Sequence, residues 1–225
     1  MLVAAVAVVA FGVGASAGLD GLRDLLPDET DIGLADPDGS APGGSSGDVD
    51  ADEARTLLAE LEVGEWADMS GYSRDRFSHW RTVDGCDARQ TVLARDGEDV
   101  EVDDDCRVVS GTWYSPFDGF TTDDPGEIDI DHLVPLANAW RTGANDWDDD
   151  RRADFANDLD TPQLIAVSAT SNRAKGDQDP SDWKPSERGY WCQYAHDWVV
   201  VKHHWQLWVT SAEKDALSDM LGTCD

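Results

Sequence analysis

From residue 51 onward the apolar positions recur with periods that can be read as helices and strands. Leu57, Leu58 and Leu61 follow helical spacing behind acidic residues, which predicts a helix over Ala51–Leu61. Tyr72–Trp80 leads into the domain, and Ala88–Arg95 reads as a second short helix. Arg107–Trp113 and Phe117–Thr122 are β-like runs around Ser-Pro and Asp-Gly turn signals. Glu127–Asp131 alternates acid and isoleucine, the period-2 mark of a half-buried strand. Pro135 suits the first position of a helix that continues through Leu136–Arg141, and Asp148–Asn157 predicts another. Leu164–Ser168 reads as a second strand, with Ala169–Lys175 as a helix running from it. Tyr190–Trp208 is a strand or a helix, and Ser211–Leu221 is a helix. The expected class is α+β.

The N-terminal fifth follows neither period. Met1–Gly18 is an apolar run, and Ala15-Ser16-Ala17 reads as a small-residue cleavage site. Residues 1–17 are therefore expected to be a signal peptide of a secreted protein. Because no basic n-region precedes the run, an upstream start or an uncleaved membrane anchor stays open, and a buried core helix ranks last. Residues 18–50 are rich in Asp, Gly, Ser and Pro and read as a disordered linker. Residues 51–225 form the expected domain.

Charge changes the picture more than length does. The chain carries a formal charge of −30, and its only lysines are Lys175, Lys184, Lys202 and Lys214. Such a surface repels nucleic acid on average, so any phosphate recognition has to be local. The Asp-rich, Lys-poor composition points to a salt-rich or high-GC source. Cys86, Cys106, Cys192 and Cys224 are an even set in an exported chain, which reads as disulfides. Cys86–Cys106 and Cys192–Cys224 are preferred because each pair sits in its own half of the domain. A zinc site is the competing reading, and the absence of any C-x-x-C weighs against it.

The candidate chemistry lies between Glu127 and Asp182. Asp131 and His132 end the first strand, and Asn172, Arg173 and Lys175 follow the second. His132 suits a general base, with an unperturbed pKa of about 6.5. A metal would lower that pKa and Asp129 and Asp131 would raise it, so activity is expected to rise through an ionisation in the ordinary histidine range. Asp131 and Asn172 offer hard oxygen ligands that favour Mg²⁺, with Mn²⁺ second. Arg173 and Lys175 are placed to contact substrate phosphate. Adjacent residues on a strand point to opposite faces, so Asp131 and His132 should diverge unless the strand ends there.

At these residues the sequence resembles an HNH endonuclease of the ββα-metal (His-Me finger) type. More closely, it resembles the exported family related to the C-terminal nuclease domain of GmrSD-type restriction enzymes. The resemblance is carried by YSRDRF, CDARQTVLARD, CRVVSGTW, IDHLVPLANAW, GANDW, FANDL, LIAVSATSNRAKGD, DWKP and the C-x-Y at Cys192–Tyr194, across roughly Glu65–Cys224. It implies a ββα-metal core with a helical insertion over Asn138–Asp160 and flanking helices. It also implies Asp131 and Asn172 as metal ligands, His132 as general base, and DNA cleavage to 5′-phosphate and 3′-hydroxyl ends. Gln163 stands where the pattern has its middle asparagine, whose side chain braces the loop carrying the histidine. Asn157 lies nearby, and both are candidate supports.

Two rivals stay open: a nuclease acting on RNA or on any single strand, and a non-catalytic exported ββα binding module. No stable protein partner is expected. His196 and His203 would share a helix face and are a minor candidate for a second metal site; His204 and His79 have no named role. Arg89 and Arg95 either reach phosphate or pair with Asp87 and Asp96, with the structural role preferred. Asp129 shares a strand face with Asp131 and is a weaker candidate ligand. Trp113, Trp140, Trp147 and Trp183 read as core.

Overall fold

The computed structural model describes residues 49–83 and 85–224, so the expected signal peptide and nearly all of the expected linker lie outside the described residues. Helix α1 (Ala51–Glu60) is started by Asp50, whose carboxylate accepts the Glu53 amide. Strands β1 (Thr82–Val83) and β2 (Cys86–Asp87) pair antiparallel, and Asp87 caps α2 (Ala88–Asp96). Strands β3 (Gly97–Val102), β4 (Val108–Tyr114) and β5 (Thr121–Thr122) form an antiparallel sheet in that order. Then come β6 (Ile128–His132), α3 (Leu136–Arg141), α4 (Asp149–Ala156), β7 (Leu164–Ser168) and α5 (Ala169–Lys175). Helices α6 (Trp191–His204) and α7 (Ser211–Leu221) close the chain. This is a mixed α+β architecture.

Strands β6 and β7 pair antiparallel, from Ile128 opposite Ser168 to His132 opposite Leu164. The alternation read from the sequence divides this two-stranded sheet into two faces. Ile128, Ile130, Leu164 and Ala166 face a core shared with Val92 and Leu93 of α2 and Trp113 of β4. Asp129 and Asp131 occupy the other face, where side chains of α5 meet them. Helix α5 is fixed at its start by Asp118, which accepts from the hydroxyls of Ser168 and Ser171.

A larger core lies under α1, α6 and α7, with Leu58, Tyr194, Trp198, Leu217 and Met220 buried in it. Within it Lys202 and Glu213 form a buried ion pair at 2.7 Å, and the Trp198 indole N–H also donates to Glu213. Each core has one disulfide beside it, Cys86–Cys106 and Cys192–Cys224, the pairing expected from the sequence. Trp113 and Trp140 are buried, and Trp147 and Trp183 pack against the larger core.

Two segments differ from the sequence reading, and a third, left open there between strand and helix, is decided. Phe117–Thr122 is mostly a turn: Ser115 N–H donates to the Phe120 carbonyl, Gly119 takes φ +72°, and Phe117 is drawn into the larger core. Only Thr121–Thr122 remains a strand. Gly97–Val102 is a strand that the sequence reading passed over, because its residues are exposed or half-buried and show no apolar face. Tyr190–Trp208 resolves as a helix over Trp191–His204.

Candidate active site

The strand β6 runs through His132 and does not end before it, so Asp131 and His132 leave the sheet on opposite faces. Both nevertheless border one cleft of about 290 Å³, with Tyr72, Arg74, Asn172, Arg173 and Asp177 around it. The two residues thus line one cleft although they leave the sheet on opposite faces.

His132 is 4% exposed and packs beside the rings of Trp80 and His79, with ring centroids 5.7 and 6.2 Å away. Its Nε2 lies 2.9 Å from the main-chain carbonyl of Ala156, at the end of α4. A carbonyl oxygen only accepts, so Nε2 carries the proton and Nδ1 keeps a lone pair. Burial pushes the pKa of this imidazole down to about 3; the bond to Ala156 opposes the shift, and the charges of Arg74 and Lys175 add to it. The ring is thus neutral at physiological pH. The expected ionisation in the ordinary histidine range is corrected: desolvation dominates, and the bond to the Ala156 carbonyl is the upward pull it overcomes.

The loop after His132 is braced by Gln163. Leu133 N–H donates to the Gln163 main-chain carbonyl at 2.8 Å, and Val134 N–H donates to its Oε1 at 3.1 Å. Gln163 Nε2 returns a bond to the Val134 carbonyl at 2.9 Å. Asn157 supports a different segment. It accepts from Arg81 N–H and donates to the Ser78 and Ala153 carbonyls, holding the turn that carries His79 and Trp80 against the His132 ring.

Asp131 is 3% exposed. Lys175, expected to reach substrate phosphate, is instead fully buried beneath it. Its Nζ donates to Asp131 Oδ1 and to the His132 carbonyl, both at 3.0 Å. It also lies 2.8 Å from Asp131 Oδ2, but off the line of a hydrogen bond, so that oxygen is buried without a hydrogen-bond partner. Lys175 is the last residue of α5, and the packing of α5 on β6 turns it inward. Burial pushes the Asp131 carboxyl up and the Lys175 ammonium down, each against the pull of the other.

Asn172 donates through Nδ2 to Asp129 at 3.2 Å, which leaves its carbonyl oxygen as the acceptor end. Arg173 has a side chain 77% exposed and lies 3.8 Å from Asp129. Arg74, to which the sequence reading gave no role, lines the cleft and has no ion-pair partner among the described residues. The YSRDRF run was the signal: Ser73 caps the short 3-10 turn that Arg74 begins. Among the described residues no group of three or more His, Cys, Asp and Glu side chains could hold a metal. His196 and His203 instead face Asp197 and Glu60, at 2.9 Å each. Arg95 pairs with Asp96, and Arg89 donates to main-chain carbonyls of Pro125 and Ile128, so both are structural.

A model of the C-terminal domain of the GmrSD restriction endonucleases matches residues 89–220. A protein of Arthroderma benhamiae named an uncharacterized secreted protein is 52% identical over 175 residues, covering 77% of this chain and 86% of that one. No solved structure matches.

Proposed function

Because the chain belongs to the family of GmrSD restriction endonuclease C-terminal domains, whose type is the HNH nuclease, we propose that it is an exported, divalent-metal-dependent endonuclease acting on DNA. In this reading β6, β7 and α5 are the ββα-metal core. The secreted relative and the two disulfides support export. The observation that carries the proposal is a neutral, buried imidazole with its Nδ1 unprotonated, at a cleft that also holds Asp131 and Asn172.

The residues suit a hard divalent ion. Asp131 Oδ2 is buried with no aligned hydrogen bond and the Lys175 ammonium 2.8 Å away, and Asn172 lines the same cleft. Two oxygen donors with the remaining positions left to water match the way Mg²⁺ is held, with Mn²⁺ the alternative. Bound there, the ion supplies Lewis-acid stabilisation of charge on the scissile phosphate. His132 Nδ1 accepts a proton from water as its oxygen bonds to phosphorus, and the P–O3′ bond breaks. The departing oxygen takes a proton from solvent, leaving 3′-hydroxyl and 5′-phosphate ends. Arg74 and Arg173 bind non-bridging phosphate oxygens, giving local attraction on a surface that repels DNA overall.

Plasmid digestion by the purified protein tests this. EDTA should abolish cleavage, and Mg²⁺ or Mn²⁺ should restore it. His132→Ala should lose about 10²–10⁴-fold in rate, the usual worth of a general base, while still binding DNA. Full activity in EDTA, or a wild-type rate from His132→Ala, would refute the assignment. Matched DNA and RNA substrates decide between the two nucleic acids.

A further inference from the structure

Lys175 is buried, with its ammonium on Asp131 and the His132 carbonyl, whereas the side chain of Arg173 on the same helix is exposed. Lys175 makes two kinds of contact with Asp131. To Oδ1, and to the His132 carbonyl, it donates hydrogen bonds at 3.0 Å. To Oδ2 it offers charge alone, 2.8 Å away without hydrogen-bond alignment. Both partners are buried, so the attraction is little screened and water cannot replace it. One carboxylate oxygen is therefore held by a directed bond, while the other is merely neutralised.

We propose that Lys175 is a positioning residue and a resident counter-cation: it fixes the Asp131–His132 dipeptide and occupies electrostatically the oxygen through which Asp131 would meet a divalent ion. The inference rests on the nuclease reading and adds how its metal site is controlled. Uptake of the ion is a cation exchange at Oδ2, in which the ammonium keeps its proton and its bonds to Oδ1 and the His132 carbonyl. The ion must displace an interaction already made, so the site binds metal more weakly than its donors alone would. In return the buried carboxylate is never left uncompensated when no ion is present, a situation that is strongly destabilising for a buried charge.

Two variants remove the charge, one leaving a hydrogen-bond donor behind and one not. Lys175→Gln keeps a hydrogen-bond donor and removes the charge, and Lys175→Met removes both. Mn²⁺ binding is measured by calorimetry and by electron paramagnetic resonance at pH 8, beside melting in chelator. Both variants should bind Mn²⁺ more tightly, by about tenfold or more, since a positive charge near the ion is gone. Both should melt lower in chelator and gain more from Mn²⁺ than the wild type does. Unchanged or weaker binding by folded variants overturns the proposal, and weaker binding would reduce Lys175 to a brace. If the variants fail to fold, the Lys175 ammonium resonance of the ¹⁵N-labelled wild type serves: it should shift on saturation with Mg²⁺, and an unmoved signal overturns the proposal. Absence of metal binding in wild type and variants alike would remove the metal from the nuclease reading itself. Binding by the wild type with no tightening in the variants would sink only the role given to Lys175.

Discussion

Acid should destabilise this domain through His132 before it touches most carboxylates. In the folded protein burial holds the imidazole neutral down to about pH 3, against 6.5 for an ordinary histidine. The unfolded chain takes up a proton as pH falls through 6.5, and the folded chain does not. Unfolding then binds the extra proton, so stability is complete above about pH 6.5 and falls as pH drops towards 3. At pH 5 the gap is about 1.5 pH units, worth about 2 kcal/mol relative to neutral pH. Burial raises the carboxyls of Asp131, Asp197 and Glu213, and these act with the opposite sign. A difference curve is therefore required. His132→Gln keeps a donor for the Ala156 carbonyl and removes the titration. Urea unfolding in chelator at pH 7 and pH 5 should show the wild type losing about 2 kcal/mol more than the variant over that interval. Equal losses, or an imidazole that titrates near 6.5 by NMR in the folded protein, would refute the account of a desolvated neutral base.

Other outcomes follow from the same geometry. Gln163→Ala removes both partners of Val134 and leaves a buried N–H and C=O unpaired, which should cost about 3 kcal/mol by thermal or chemical unfolding. Cys192→Ser with Cys224→Ser should destabilise by about 2–5 kcal/mol, with non-reducing peptide maps confirming that Cys86–Cys106 persists. DNA binding should fall only shallowly with added salt, because screening of the −30 charge offsets counterion release at Arg74 and Arg173. A steep loss in a filter-binding series would mean that a broader basic surface is at work.

The parts of the site set by periodicity were legible in the chain. Ile128 and Ile130 alternate with Asp129 and Asp131, and that alternation alone puts the isoleucines into a core and the acids on the opposite face. Gln163 could be named as a candidate brace only through the resemblance, because it stands where the HNH pattern has its middle asparagine. The fate of Lys175 could not be read. A lysine at the end of a polar helix is ordinarily solvated, and its burial here depends on how closely α5 packs on β6. The shifted His132 pKa depends on Trp80, His79 and Ala156, which reach the ring from separate segments. Gly97–Val102 was not legible because an exposed acidic strand has almost no apolar signature.

The Gln163 clamp has a consequence for how the sheet comes apart. A two-stranded ladder frays from its ends, and His132 opposite Leu164 is one of those ends. Beyond that pair the main chains would separate. Instead, the Gln163 carbonyl takes the Leu133 N–H, and the Gln163 carboxamide pairs with both polar groups of Val134, as a peptide unit of a neighbouring strand would. One side chain thus adds a rung to the ladder where the backbone alone could not. The two-stranded sheet is sealed at the end that carries the candidate base, so local opening there must break this extra rung before it can reach His132.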